Sequence, residues 1–313
     1  MGRHLTERLL VSIPVLFGVL LLGFLLLQVV PNDPALVLAG PMAPPEVVAA
    51  IRKDLGLEEP IWYQFMLYLG RVLRGDLGRS IINNTKVIEE LAGAIGPTVE
   101  LMLASLFWAV PLGITLGTLA AVRRGRLSDR VIMAFSVGGV SIPIFWLALV
   151  LIEYVGMKWQ LLPFTGRGGP IWTADGLRSL ALPALALGGI FVGPVARMTR
   201  TNVLEVLGAD FVRTARAKGL RETRVIIRHA LRNALIPVVT LVGLQCGYLL
   251  GGAVVTETIF GWPGVGRLAV GAILSTDYPL AQGAIIVMSV AFIVINLIVD
   301  LLYGWLDPRV SKA

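Results

Sequence analysis

The run LLVSIPVLFGVLLLGFLLLQVV, residues 9–30, holds 22 residues with no charged side chain. At about 1.5 Å per residue a helix of that length reaches about 33 Å, enough to cross a hydrocarbon core of about 30 Å. A secretory signal peptide is the competing reading, since Arg3 and Arg8 form a basic start and Val37-Leu38-Ala39 resembles a cleavage site. Such leaders carry apolar runs of about 7–15 residues, and the longer run here favours a helix that stays in the chain. Outward from this stretch, segments 98–122, 131–155, 180–196, 234–256 and 281–302 are apolar enough for the same task. The expected fold class is all-α, a membrane protein with six transmembrane helices. The fourth segment is the shortest and carries Pro183, Gly188, Gly189, Gly193 and Pro194. It and the fifth have the least defined ends, because each runs into a polar or amphipathic stretch.

Composition agrees. Of 313 residues 56% are hydrophobic and 15% charged, against roughly 25% charged in a soluble domain, and the mean hydropathy is +0.80. A soluble fold of this length cannot hide so much apolar surface, so lipid is the solvent the composition asks for. The net charge of +7 could suggest nucleic acid, but the cations sit between apolar segments and form no separate basic domain. A lone cysteine, Cys246, excludes an intramolecular disulfide, and His4 and His229 lack cysteine partners for a zinc site, so no metal is expected.

Charge also orients the chain. With the N-terminus inside, the inner segments hold 17 Lys and Arg and the outer ones 10. Both termini are therefore expected in the cytoplasm. Residues 1–30 form the N-terminus and first helix, 31–97 an extracytoplasmic amphipathic segment, 98–303 the transmembrane core with a cytoplasmic loop at 197–233, and 304–313 a cytoplasmic tail. In the outer segment Pro31-Asn32-Asp33-Pro34 ends the first span and Pro44-Pro45-Glu46 starts a helix with Val47, Val48, Ile51 and Leu55 at helical spacing. Gly56 ends it, Pro60 opens a second stretch, and residues 61–73 carry Trp62, Tyr63, Phe65 and Tyr68. Short amphipathic helices lying on the outer surface are the expectation.

The most informative loop follows the fourth span, as ADFVRTARAKGL, residues 209–220, then 221–234. Asp210 is placed to cap a helix whose small Ala215 and Ala217 leave backbone close to a partner, and Gly219 breaks that helix. A second helix follows, with Val225, Ile226, Leu231 and Leu235 apolar and Arg221, Arg224, Arg228 and Arg232 basic. Such a hairpin, fixed to two spans, suits the transfer of a push from another protein. Its nine cations could also serve only to hold the loop inside, although four would be enough.

At RTARAKG, residues 213–219, with HALRNALIP, residues 229–237, the sequence resembles the coupling loop of ATP-binding-cassette (ABC) importer permeases, in particular their dipeptide, oligopeptide and nickel branch. The resemblance runs over nearly the whole chain. Its further markers are PNDP at 31–34, GDLGRS at 75–80, SIPIFW at 141–146, ETIFGWPGVG at 257–266 and DYP at 277–279. The chain departs from the general importer pattern, with Arg213-Thr214-Ala215 in place of Glu-Ala-Ala and Pro237 eighteen positions after Gly219.

The resemblance implies a permease subunit in the bacterial or archaeal cytoplasmic membrane, one half of a heterodimeric pore. Its partners would be a second permease subunit, two cytoplasmic ATPases that carry ATP and Mg, and an extracytoplasmic solute-binding protein delivering short peptides. Asp210, Arg213, Thr214, Ala215, Arg216, Ala217, Lys218, Gly219 and Leu220 would then engage the ATPase. This chain would bind no cofactor and would not itself be an enzyme. The sequence agrees that a phosphate-binding loop is missing, since it contains no Gly-Lys pair, and it has neither His-Glu-x-x-His nor Gly-x-Ser-x-Gly.

The path through the membrane is drawn from polar and glycine-rich positions. Gln245 and Tyr248 lie near Gly243, Gly247, Gly251 and Gly252, a small-residue face that either packs on a partner or lines the pore. Pro143 and Pro194 permit bends, and Glu257 stands at the outer end of the fifth span, before Trp262-Pro263-Gly264, either as a gate or binding-protein contact or as a turn constraint. Trp262, Pro263, Gly264 and Asp277 are the expected contacts of the binding protein. A nickel or other small-solute permease is the alternative within the family, and an ion-gradient-driven transporter the alternative outside it. Acids avoid the span centres, against the second, and no His or Met cluster favours nickel.

Overall fold

Helices carry the fold. A computed structural model describes residues 2–29, 34–40, 42–54 and 56–306. Residues 31–33 of the PNDP turn, Leu55 and the tail cations Arg309 and Lys312 lie outside the described residues. Among the described residues the β content is one antiparallel bridge, Arg79 with Lys86. Among the described residues four helices are long and apolar enough to cross a membrane, Val87–Val122, Ala174–Leu207, Glu222–Phe260 and Tyr278–Val299, and a bent pair, taken as one span, makes a fifth. The first helix, α1 (Gly2–Val29), carries the uncharged run that begins at Leu9.

The chain divides into two compact units. The first comprises Gly2–Thr98 with Pro263–Val294. Here α2 (Pro34–Ala39) and α3 (Pro45–Asp54) lead to α4 (Ile61–Leu73). Phe65 and Tyr68 of α4 are buried with Leu20 and Phe24 of α1, while Trp62, Tyr63 and Met66 are exposed. Ring centroids lie 5.5 Å apart for Phe24–Phe65 and 5.8 Å for Phe24–Tyr68, and such pairs contribute about 0.5–1.5 kcal/mol each beyond their buried area. Burial pushes the Tyr68 phenol up to about 12, so it stays neutral. A second core joins Val87, Leu91 and Ala94 of α5 (Val87–Val122) to α12 (Val265–Leu274) and α13 (Tyr278–Leu306).

The second unit comprises Val99–Trp262 and the segment from Ile295. Two of the expected spans differ in shape or length in its middle. The single span at 131–155 is broken into α6 (Leu127–Ser141) and α7 (Ile144–Leu151), the latter continued by a π-helical stretch Ile152–Lys158, and the two parts are bent by 103°. The cause is Pro143: it has no N–H to give, and it drives Ile142 to φ −83°, ψ 119°, outside the helical region. The span placed at 180–196, by contrast, extends to α8 (Ala174–Leu207), and Pro183 and Pro194 do not interrupt it.

What holds α8 is packing over most of its surface. Its glycines and those of α5 let backbones meet: a Cβ on Gly113 or Gly117 would fall 2.8 Å from Val195 or 2.7 Å from Thr199, and one on Gly188 2.6 Å from the Trp108 indole nitrogen. Trp108 Nε1 donates to the Ala184 carbonyl at 2.9 Å. Thr173 caps the first turn by accepting from the Gly176 amide at 3.1 Å. After α8 the chain turns at Gly208 into α9 (Asp210–Ala217), passes Gly219, and resumes as α10 (Glu222–Arg224), a π-helical stretch Val225–Leu231 and α11 (Arg232–Phe260).

Candidate functional site

The turn that separates α9 from α10 rests on Gly219 at φ +73°. A Cβ there would meet nothing within 4 Å, so the need for glycine is conformational and not a matter of space. Gly219 donates to the Arg216 carbonyl at 2.9 Å. Val212 and Ala215 of α9 are buried together with Val225, against Val206 and Leu207 at the end of α8. Ala215 thus packs inward and is not open to a partner, because helical spacing puts it on the face that Val212 already commits. Asp210 does not cap: the cap position is Ala209, and the exposed Asp210 carboxylate lies 3.6 Å from Arg213.

The outward face of α9 and its turn presents Phe211, Arg213, Thr214, Arg216, Ala217 and Lys218, with Leu220 half-buried behind them. Arg216 binds Glu222 with both arms of its guanidinium, at 3.1 and 2.6 Å, across the turn. This carboxylate raises the Arg216 pKa above its ordinary value. Beside it runs an open groove of about 470 Å³ lined by Gly219, Leu220, Arg221, Thr223, Arg224, Ile227 and Arg228.

The glycines of α11 do not share one face. Gly243 packs on Val299, and a Cβ on Gly252 would come 2.9 Å from Leu187. Gly251 has open space, and Tyr248 beside it is 74% exposed, with Leu244 and Val255 on the same stripe and Gln245 half-buried at its edge. Small residues here serve close packing within the chain on one side and leave an uncovered face on the other. Pro143 is exposed at the α6–α7 break.

The markers at 257–266 and 277–279 are placed differently from expectation. Glu257 and Trp262 are fully buried, and the Trp262 amide donates to the Glu257 carbonyl at 2.9 Å to close α11, helped by Gly261 at φ +63°. Gly264 is buried at the start of α12, and Pro263 before it is exposed. Asp277 is 1% exposed. It accepts from the Ser80 hydroxyl and from the amides of Ile81 and Leu280, at 3.2 and 3.3 Å. Trp262, Gly264 and Asp277 therefore have no free side-chain surface to offer a binding protein. The short sequence markers at 75–80 and 277–279 turn out to be two halves of one hydrogen-bonded clamp, which their separation in the chain conceals.

Two ion pairs have no sequence signal. Arg200 of α8 binds Asp129 of α6 through both arms, at 2.6 and 2.8 Å, and Asp129 also accepts from the Gly125 amide at 2.9 Å. Arg167 binds Glu100 of α5 in the same manner, at 3.0 and 2.8 Å. Among the described residues no group of three or more His, Cys, Asp and Glu is placed to hold a metal ion.

These features define a helical membrane subunit with an exposed hinge between two spanning helices. The chain belongs to the family described as "binding-protein-dependent transport system inner membrane component", whose pattern matches residues 113–312, and the corresponding N-terminal family pattern matches residues 1–101. It is a multi-pass inner-membrane permease subunit of the ABC-importer type. The glutathione transport system permease protein GsiC of Escherichia coli is 43% identical over 310 residues, covering 99% of both chains. The dipeptide transport system permease protein DppB of Escherichia coli is 42% identical over 335 residues, again covering 99% of both. A chain of the inward-facing MetNI methionine ABC transporter has a similar fold, with a TM-score of 0.55 at 17% identity, covering 70% of this chain and 96% of that one.

Proposed function

We propose that this chain forms half of the pore through which a short peptide, of dipeptide or glutathione size, enters the cell, and that it is driven by ATPases docked on α9. The single observation that carries the substrate class is the full-length identity above 40% to both a glutathione and a dipeptide permease. In this reading the first helix is a sixth crossing, both termini and residues 197–233 are cytoplasmic, and residues 31–97 face the binding protein. A second permease completes the pore, and ATP with Mg resides on two ATPase subunits. This chain does no chemistry of its own.

The docking reading for 210–220 is supported by the division of α9 into two faces. Val212 and Ala215 fasten it to α8, so a force applied to Phe211, Arg213, Ala217 and Lys218 is passed to the spanning helix. The groove beside Gly219, with Arg221, Arg224 and Arg228 around Ile227, offers an acidic partner surface both charge and apolar contact. For the pore, the uncovered α11 stripe of Leu244, Tyr248 and Gly251 is the better candidate, and Glu257 is withdrawn from it by burial.

Purification of the complex in mild detergent tests the assembly: two ATPases, a second permease and a binding protein should co-elute. Uptake of radiolabelled glutathione and of a dipeptide into proteoliposomes holding that complex tests the substrate class. Failure of both peptides to enter, with saturable uptake of another small solute, overturns it.

A further inference from the structure

The pair Asp129–Arg200 does more than the family reading asks of it. Its chemistry is that of a rigid joint. Asp129 is 5% exposed and Arg200 26%, and the two N–H···O bonds of 2.6 and 2.8 Å fix the angle of the guanidinium as well as its distance. A further acceptor site of the carboxylate is used by the Gly125 amide at 2.9 Å, so the turn 123–126 between α5 and α6 is held by the same side chain.

The partners of this joint are also constrained. Immediately before Arg200, α8 lies against α5 at Gly117 so closely that a Cβ there would fall 2.7 Å from Thr199. A little after Arg200, Val206 and Leu207 enter the core that holds Val212 and Ala215 of α9. Along α8, therefore, four fixings follow in order: to α5 at Thr199, to α6 at Arg200, to α5 and α11 at Val203, and to α9 at Val206 and Leu207. Beyond α6 lies the 103° break at Pro143. A displacement of α9 cannot be absorbed at the end of α8, because the next fixings lie within about two turns, or about 11 Å, of helix.

We infer that Arg200 and Asp129 are positioning residues for transport: the pair carries movement of α9 through α8 to α6 and the broken span that follows it. The inference rests on the proposed docking of ATPases at α9. Neither residue touches substrate, and their role lies in keeping α6 and α8 in step.

The test compares Asp129→Asn, Arg200→Met, Arg200→Lys and the exchanged pair Asp129→Arg with Arg200→Asp in the assembled transporter, reconstituted in vesicles with its binding protein. ATP hydrolysis and peptide uptake are measured in the same preparation, and the reading is uptake per ATP. Asp129→Asn and Arg200→Met should each lose about five-fold or more in that ratio, the lower range of coupling between sites. Arg200→Lys keeps the charge but not the fork and should lie between them and the wild type. The exchanged pair should regain part of the loss, since it restores the ion pair but not the bond to Gly125. A merely structural role would lower the amount of complex and both activities together, leaving the ratio unchanged. Should Asp129→Asn fail to assemble, the ratio in Arg200→Lys decides. An unchanged ratio in the assembled variants, or failure of every variant to assemble, overturns the inference. ATP-independent uptake by the wild type would instead remove the reading on which it rests.

Discussion

Helix α8 and the span Glu222–Phe260 that ends in α11 are nearly alike in hydropathy, yet two-thirds of the most apolar part of α8 (67%) is buried inside the chain against 28% for the other. Both are rich in glycine and both contain proline. In α8 Gly188 meets Ser105 and Trp108 and Gly189 meets Leu147, while Val195 and Thr199 of α8 itself receive Gly113 and Gly117 of α5. In α11 the glycines at 243 and 252 meet neighbours as well, but Gly251 and Tyr248 stand open. Hydropathy measures whether a segment tolerates an apolar solvent, and lipid, a partner subunit and the chain's own core all satisfy it. The comparison teaches that packing, and not hydropathy, separates the two helices.

The contrast can be broken by substitution. The largest effect is expected from Gly117→Leu, which must displace the α8 backbone at Ala196 and the Thr199 side chain. It should cost about 3 kcal/mol or more and abolish recovery of monodisperse protein, whereas Gly251→Leu should leave recovery and the thermal midpoint of the isolated subunit unchanged. Equal damage from both would erase the distinction between the two helices. Next comes the clamp of the other unit. Asp277→Ala leaves the Ser80 hydroxyl and two amides without their acceptor, at about 1–3 kcal/mol for each buried group orphaned. Limited proteolysis should then cut within residues 75–86, where wild-type protein resists.

Smaller effects separate conformation from fit at the hinge. Gly219→Ala has free space but a left-handed backbone, so it should cost about 1–2 kcal/mol locally and lower uptake without loss of insertion. Gly219→Asn, which tolerates that backbone better, should retain more uptake than alanine; the reverse order would mean that bulk, and not φ, matters there. The smallest effect is a gain. Thr199 Oγ1 is buried without a hydrogen-bond partner, so Thr199→Val removes a desolvated hydroxyl at nearly constant shape and should raise the thermal midpoint by an amount worth about 1 kcal/mol.

Much of the architecture is legible in the sequence because its signals are local. Apolar run length locates the spanning helices, and Gly219 reads correctly as a break because a left-handed residue follows a short helix there. The third span is bent at Pro143, where the sequence allows a bend, although the apolar residues on both sides hide its sharpness from any reading by hydropathy. The ends of α8 escape the sequence because glycine and proline weaken a helix in isolation and are harmless where neighbours cover it. Of the candidate site, the hinge is legible and its polarity is not. Sequence places Ala215 among the contact residues, but which face of α9 is committed to Val206 and Val225 depends on how the chain folds back. The same holds for Asp277 and Ser80, and for Asp129 and Arg200, whose partners lie far along the chain. Charged residues near span ends read as solvated until the partner is known.

The most direct test of the account is uptake of labelled glutathione or dipeptide into vesicles carrying the complete complex, with ATP enclosed and ion gradients collapsed. Uptake should require ATP hydrolysis, persist without any gradient and vanish when the ATPase subunits are omitted. Uptake driven by an ion gradient through this chain and its permease partner alone would contradict it.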